Sequence, residues 1–122
     1  MDRRRTSRGP APVVGIYAAG RQVFRFHPDG VVLDALVRPA PSPRDGAAIA
    51  GWLRRDNPLS GVHTARYDQR GPTIAFTTRS HLREEEVGVC GTWSRGRLTL
   101  SLAGQGWSIP ARPFIRLDST PQ

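Results

Sequence analysis

The stretch Arg21–Val37, RQVFRFHPDGVVLDALV, decides the fold. It reads as two β-strands about a tight turn at Pro28-Asp29-Gly30. Proline presets φ, aspartate bonds the backbone ahead of it, and glycine accepts a positive φ. On the first strand Phe24 and Phe26 share one face while Arg25 and His27 take the other, because side chains alternate along a strand. Val31, Leu33, Ala35 and Val37 continue an apolar face on the return strand. The rest of the chain is expected to add hairpins to this one until the sheet closes.

On the N-terminal side, Val13–Tyr17 supplies a first strand and Ala18–Gly20 turns into the hairpin. On the other side the rhythm breaks at Pro39, Pro41 and Pro43. Ser42-Pro43-Arg44-Asp45 has the form of a helix start, with Ser42 as N-cap, Pro43 first in the helix and Asp45 as the box acid. Ala48, Ile49, Trp52 and Leu53 then fall on one side at helical spacing, and Asn57-Pro58 stops the element. Trp52 is expected to plug an end of the sheet assembly.

Strand alternation returns over Val62–Asp68, Thr73–Arg79, Val87–Trp93, Leu98–Leu102 and Trp107–Arg116. The last is broken or bulged at Pro110 and Pro113. Ser80–Glu86 is highly charged and reads as an exposed hairpin end. The fold class is therefore all-β: an up-and-down antiparallel barrel of about eight strands, with one short α-helix inserted after the first long hairpin. The domain runs over 13–117, with a basic tail at 1–12 and a short tail at 118–122.

Composition bounds the function. A chain of 122 residues holds one real core, and its 13 glycines and 11 prolines suit many turns. The formal charge is +8, yet every one of the 18 basic residues is arginine. That points to the coding bias of a GC-rich genome and weakens a case for anion binding built on charge alone. Cys90 is the one cysteine, so no internal disulfide forms and a cytoplasmic location is expected. Arg3-Arg4-Arg5 before Ala11–Gly20 imitates a secretory signal, but Pro12 and Gly15 interrupt the apolar run. No apolar run reaches the ~20 residues that cross a bilayer. His27, His63 and His81 lie far apart in sequence without metal-ligand spacing, so neither metal nor cofactor is expected.

Gly15-Ile16-Tyr17, Phe24-Arg25-Phe26-His27-Pro28-Asp29-Gly30, Ala65-Arg66-Tyr67 with Ile74-Ala75-Phe76, and Gly91-Thr92-Trp93 before Leu98-Thr99-Leu100 together resemble the small lipocalin-like β-barrel proteins of bacteria. The resemblance spans Val13 to Leu117. It implies that Gly15-Ile16-Tyr17 stands where the wider group has Gly-x-Trp at the closed barrel end, with Arg116 as the basic partner from the last strand. The helix precedes the third long strand here, whereas the secreted lipocalins carry theirs near the C-terminus, and the disulfides of that group are missing.

Tyr17, Phe24, Phe26, Leu33, Tyr67, Phe76, Thr78, Val89, Trp93, Leu100 and Trp107 are the residues expected to face the interior and contact a ligand. They either fill a core or line a pocket for a small, largely apolar molecule. A cofactor-free cyclase or isomerase, folding its substrate in the same interior, is the alternative. For it, Tyr67 and His63 are the candidate catalytic groups, four apart on one strand face. A nucleic-acid-binding barrel is the third reading, opposed by Arg25 pointing away from the two phenylalanines.

Overall fold

The computed structural model describes residues 13–54, 56 and 61–117. Eight strands follow one another: β1 (Gly15–Ala19), β2 (Gln22–Phe26), β3 (Val31–Leu36), β4 (His63–Arg70), β5 (Thr73–Arg79), β6 (Glu86–Ser94), β7 (Arg97–Gly104) and β8 (Trp107–Leu117). Each pairs antiparallel with the next, and β8 returns to β1, so the sheet closes into a barrel. Closure leaves no unpaired strand edge. The opening hairpin forms as read: Gly30 takes a φ of 92°, and Phe26 and Phe24 lie opposite Val32 and Asp34. The proposed tails at 1–12 and 118–122 and the helix stop at Asn57-Pro58 lie outside the described residues.

The helix is short. The Asp45 carboxylate accepts the Ser42 backbone N–H at 2.8 Å across a 3₁₀ turn, Pro43–Asp45, and α1 (Gly46–Trp52) follows. Ile49 and Leu53 are buried, whereas Ala48 is exposed and Trp52 is 43% exposed. Trp52 therefore does not plug the barrel. α1 instead lies on the outer wall of β1–β3, where Ile16, Ala18, Val23, Leu33 and Ala35 form a second apolar cluster with Ile49 and Leu53. Arg25, on that outer face, donates to the carbonyls of Ala50 (2.8 Å) and Leu53 (3.1 Å), satisfying acceptors that a helix C-terminus leaves unpaired.

This outer cluster corrects the reading of β3. Val31, Leu33 and Ala35 do form one apolar face, but it is the outer face, under the helix. The inward residues are Val32, Asp34 and Leu36. With both faces buried, the strand reads as a continuous apolar run and alternation cannot say which side is in. β4–β7 are covered on one face only, and their burial alternates as the sequence implies.

The interior core is aromatic. Phe24 meets Phe76 edge-on at 5.2 Å and stacks on Phe114 at 5.5 Å, while Phe26 meets Tyr67 edge-on at 5.0 Å. Such pairs add to the burial of ring area. β8 is bulged, as Pro110 suggests: Leu100 lies opposite Arg112, but Leu102 lies opposite Ile109. The extra residue resets the side-chain phase, so Trp107 and Ile109 face inward before it and Arg112 and Phe114 after it.

Truncating Leu53 to alanine should cost about 2–5 kcal/mol in urea unfolding, as expected for a buried leucine. Trp52→Ala should cost about 0.5 kcal/mol or less, as at an ordinary surface position. Equal and large losses from both would contradict the placement of α1.

Candidate functional site

The two ends of the barrel differ. At the end holding the β2–β3 turn the interior is filled. The Val13 N–H donates to Gln69 Oε1 at 3.0 Å, Trp93 Nε1 donates to the Tyr17 hydroxyl at 3.0 Å, and the Tyr67 hydroxyl donates to the His27 carbonyl at 2.6 Å. At the other end the β1–β2 turn, the β5–β6 loop and the start of β8 surround a cavity of about 400 Å³. That is within the range of small-molecule sites. Leu36, Val87, Leu102, Trp107 and Ile109 give it apolar walls, while Arg21, Arg79 and Arg83 stand around it.

Its polar side is built on Asp34. This carboxylate is 1% exposed and accepts three hydrogen bonds: from Thr78 Oγ1 at 2.7 Å, from His81 Nε2 at 2.8 Å and from Gln22 Nε2. A buried carboxylate needs such partners to offset its desolvation. Asp34 lies opposite Phe24 on one neighbouring strand and opposite His63 on the other. The His63 ring stacks on His81 at 4.1 Å and 10°, and its Nδ1 donates to the Arg79 carbonyl at 3.0 Å. His81 itself comes from the β5–β6 loop, which is therefore more than an exposed hairpin end. Glu85 anchors that loop by accepting the Gln105 N–H (2.8 Å) and Trp107 Nε1 (2.9 Å). These two donors, the backbone one foremost, hold the Glu85 carboxyl below the usual carboxylate range. Gly104 makes room for the contact, since a Cβ there would collide with both Glu85 and Trp107.

Arg112 is the other polar feature. It reaches the cavity from β8, with Cζ 5.7 Å from the Phe114 ring centroid. Its Nε is buried without a hydrogen-bond partner, and among the described residues it forms no ion pair.

Of the expected ligand contacts, Thr78 and Trp107 line the cavity. Tyr17, Phe24, Phe26, Phe76, Val89, Trp93 and Leu100 belong to the packed core, with Tyr67 against it. Leu33 is a correction: it is outside the barrel under α1, because the inward phase of β3 belongs to its even-numbered residues. His63 and Tyr67 share one face of β4, as read. His63 stands at the mouth beside Asp34, while Tyr67, about four residue rises further along β4, is bonded to the His27 carbonyl. The histidines judged unrelated by spacing are in fact stacked, because the loop folds His81 back over His63.

Sequence reasoning missed Asp34, His81, Gln22 and Arg112. An acid inside the run VVLDALV marked Asp34, and the prolines of β8 hinted at the phase change that turns Arg112 inward. Nothing in the loop sequence singled out His81. Comparison with protein families, with curated proteins and with solved structures gives no match.

Tyr17 and Tyr67 are all the tyrosines of the chain, and burial raises the pKa of both. Above about pH 10, where an unfolded tyrosine ionises, the folded chain still holds protons that the unfolded chain has released. The tyrosine contribution to stability is therefore intact below that pH and declines as pH rises toward the folded values. Phenolate absorbance should stay low past the ordinary tyrosine range and appear together with loss of the near-ultraviolet dichroism. A normal titration in the folded state would contradict the packing of this end.

Proposed function

We propose that this barrel is a lipocalin-like binding protein whose mouth cavity takes a small, largely apolar molecule bearing one acidic group. Arg112 carries the reading. It is a cation among apolar walls with a buried, unpartnered Nε, so a ligand carboxylate supplies the acceptor that the protein leaves out. The rest of the cavity suits an apolar body lying against Trp107, Leu102 and Ile109. The lipocalin comparison gains support from the closed end: the Arg116 guanidinium lies 5.7 Å from the Tyr17 ring centroid and packs over Gly15, as the resemblance implied. The third reading, nucleic acid, stays opposed by Arg25, which faces away from the two phenylalanines and is engaged by α1.

A cofactor-free isomerase is the second reading, favoured by one observation. His81 lines the cavity and is hydrogen-bonded to buried Asp34, an orientation that suits a general base. Solvent deuterium should then enter a bound enolisable keto acid, and not in His81→Gln. Exchange no faster than in buffer removes this reading.

For the binding reading, a medium-chain fatty acid should quench tryptophan fluorescence saturably, with the signal lost in Trp107→Phe. Arg112→Gln should weaken the acid by about 10- to 100-fold, the scale of a charge-assisted hydrogen bond. The matching alcohol should be nearly indifferent to that change. Equal affinity for acid and alcohol in the natural protein would refute the acidic group.

A further inference from the structure

We infer that Asp34, His63 and His81 form a binding site for a divalent transition-metal ion at the mouth of the barrel. One donor atom from each residue lies within 4.8 Å of the other two. Two of the three are fixed by the sheet: Asp34 and His63 are direct cross-strand partners in the β3–β4 register, so both project inward at one level. The third is brought by the β5–β6 loop, with the two imidazoles parallel and 4.1 Å apart. An ion with bonds of about 2.0–2.2 Å sets neighbouring donors about 3.0–3.5 Å apart. The Asp34–His81 edge, now 2.8 Å, is near that separation; the His63 Nδ1–Asp34 edge is 3.9 Å, and His63 must turn out of its stack on His81 to join them.

The surroundings are those that position metal ligands. Thr78 and Gln22 donate to the Asp34 carboxylate and fix its plane. His63 approaches Asp34 through Nδ1, at 3.9 Å, the atom that now donates to the Arg79 carbonyl; an ion bound there would replace that hydrogen bond, with the ring proton on Nε2. Two imidazoles and one carboxylate select Zn²⁺, Fe²⁺, Co²⁺ or Ni²⁺ over Mg²⁺ and Ca²⁺, which prefer all-oxygen sites. Three protein ligands leave coordination positions open, as in reactive rather than structural sites. The side chains of His63 and His81 are 28% and 13% exposed, so an ion reaches them from the mouth. With the ion in place His81 is a ligand and no longer a free base, which separates this site from the cofactor-free isomerase.

The test uses Co²⁺ on the whole chain after chelator treatment. One ion per chain should bind saturably in the micromolar range with a visible ligand-field spectrum, and Zn²⁺ should displace it. His63→Ala and His81→Ala alter partly exposed side chains and should fold; each should weaken binding by about 100-fold or more, and Thr78→Val by about 10-fold. Arg112→Gln should bind Co²⁺ normally, so loss of the acidic-ligand reading leaves this one standing, and the reverse also holds. No saturable spectrum, or uptake undiminished in both histidine variants, would overturn the site.

Discussion

A single buried carboxylate sets the plan of the barrel's open half. Asp34 enters the interior beside Phe24, and from that level toward the mouth the packing cannot continue as aromatic rings. A buried carboxyl group there requires hydrogen-bond partners, and they arrive from three other segments: Gln22 of β2, Thr78 of β5 and His81 of the following loop. The carboxylate thus ties the β5–β6 loop to the barrel wall. The cavity lies on the same side of the aromatic layer as this carboxylate, which lines it. Below that layer Trp93 is paired with Tyr17, Tyr67 with the His27 carbonyl and the Val13 N–H with Gln69.

The wall itself is of two kinds. β1–β3 are buried on both sides, inside by the barrel core and outside by α1, and Arg25 ties strand to helix. β4–β7 meet solvent on their outer faces. The site draws on both: Asp34 and Gln22 come from the doubly covered strands, and Thr78, His63 and His81 from the singly covered side. Asp34 and Gln22 thus rest on the better supported half, while His63, Thr78 and His81 come from the wall that meets solvent.

The difference also governs what the sequence could tell. Where one face is wet, as in Thr73–Arg79, alternation identifies the inward residues and the closed antiparallel barrel follows from counting such segments. Where both faces are dry, as in VVLDALV, the pattern is silent about phase, and Leu33 was assigned to the wrong side for that reason. The helix was legible from its capping residues, but its resting place was not, since that depended on the hidden apolar face of β1–β3. The site was legible only in part. Thr78 and Trp107 follow from alternation, whereas the meeting of His63 with His81 depends on how a loop folds back, which local periodicity does not encode.

The bulge in β8 has a consequence of its own. By carrying one residue more than its partner, the strand behaves as a two-position selector: the residues from Arg112 onward exchange inside for outside relative to an uninterrupted strand. Loss of a single codon near Pro110 would therefore change the chemistry of the barrel lumen with no substitution at any remaining position. A lineage of such barrels has a route to new interiors through length polymorphism, separate from point substitution.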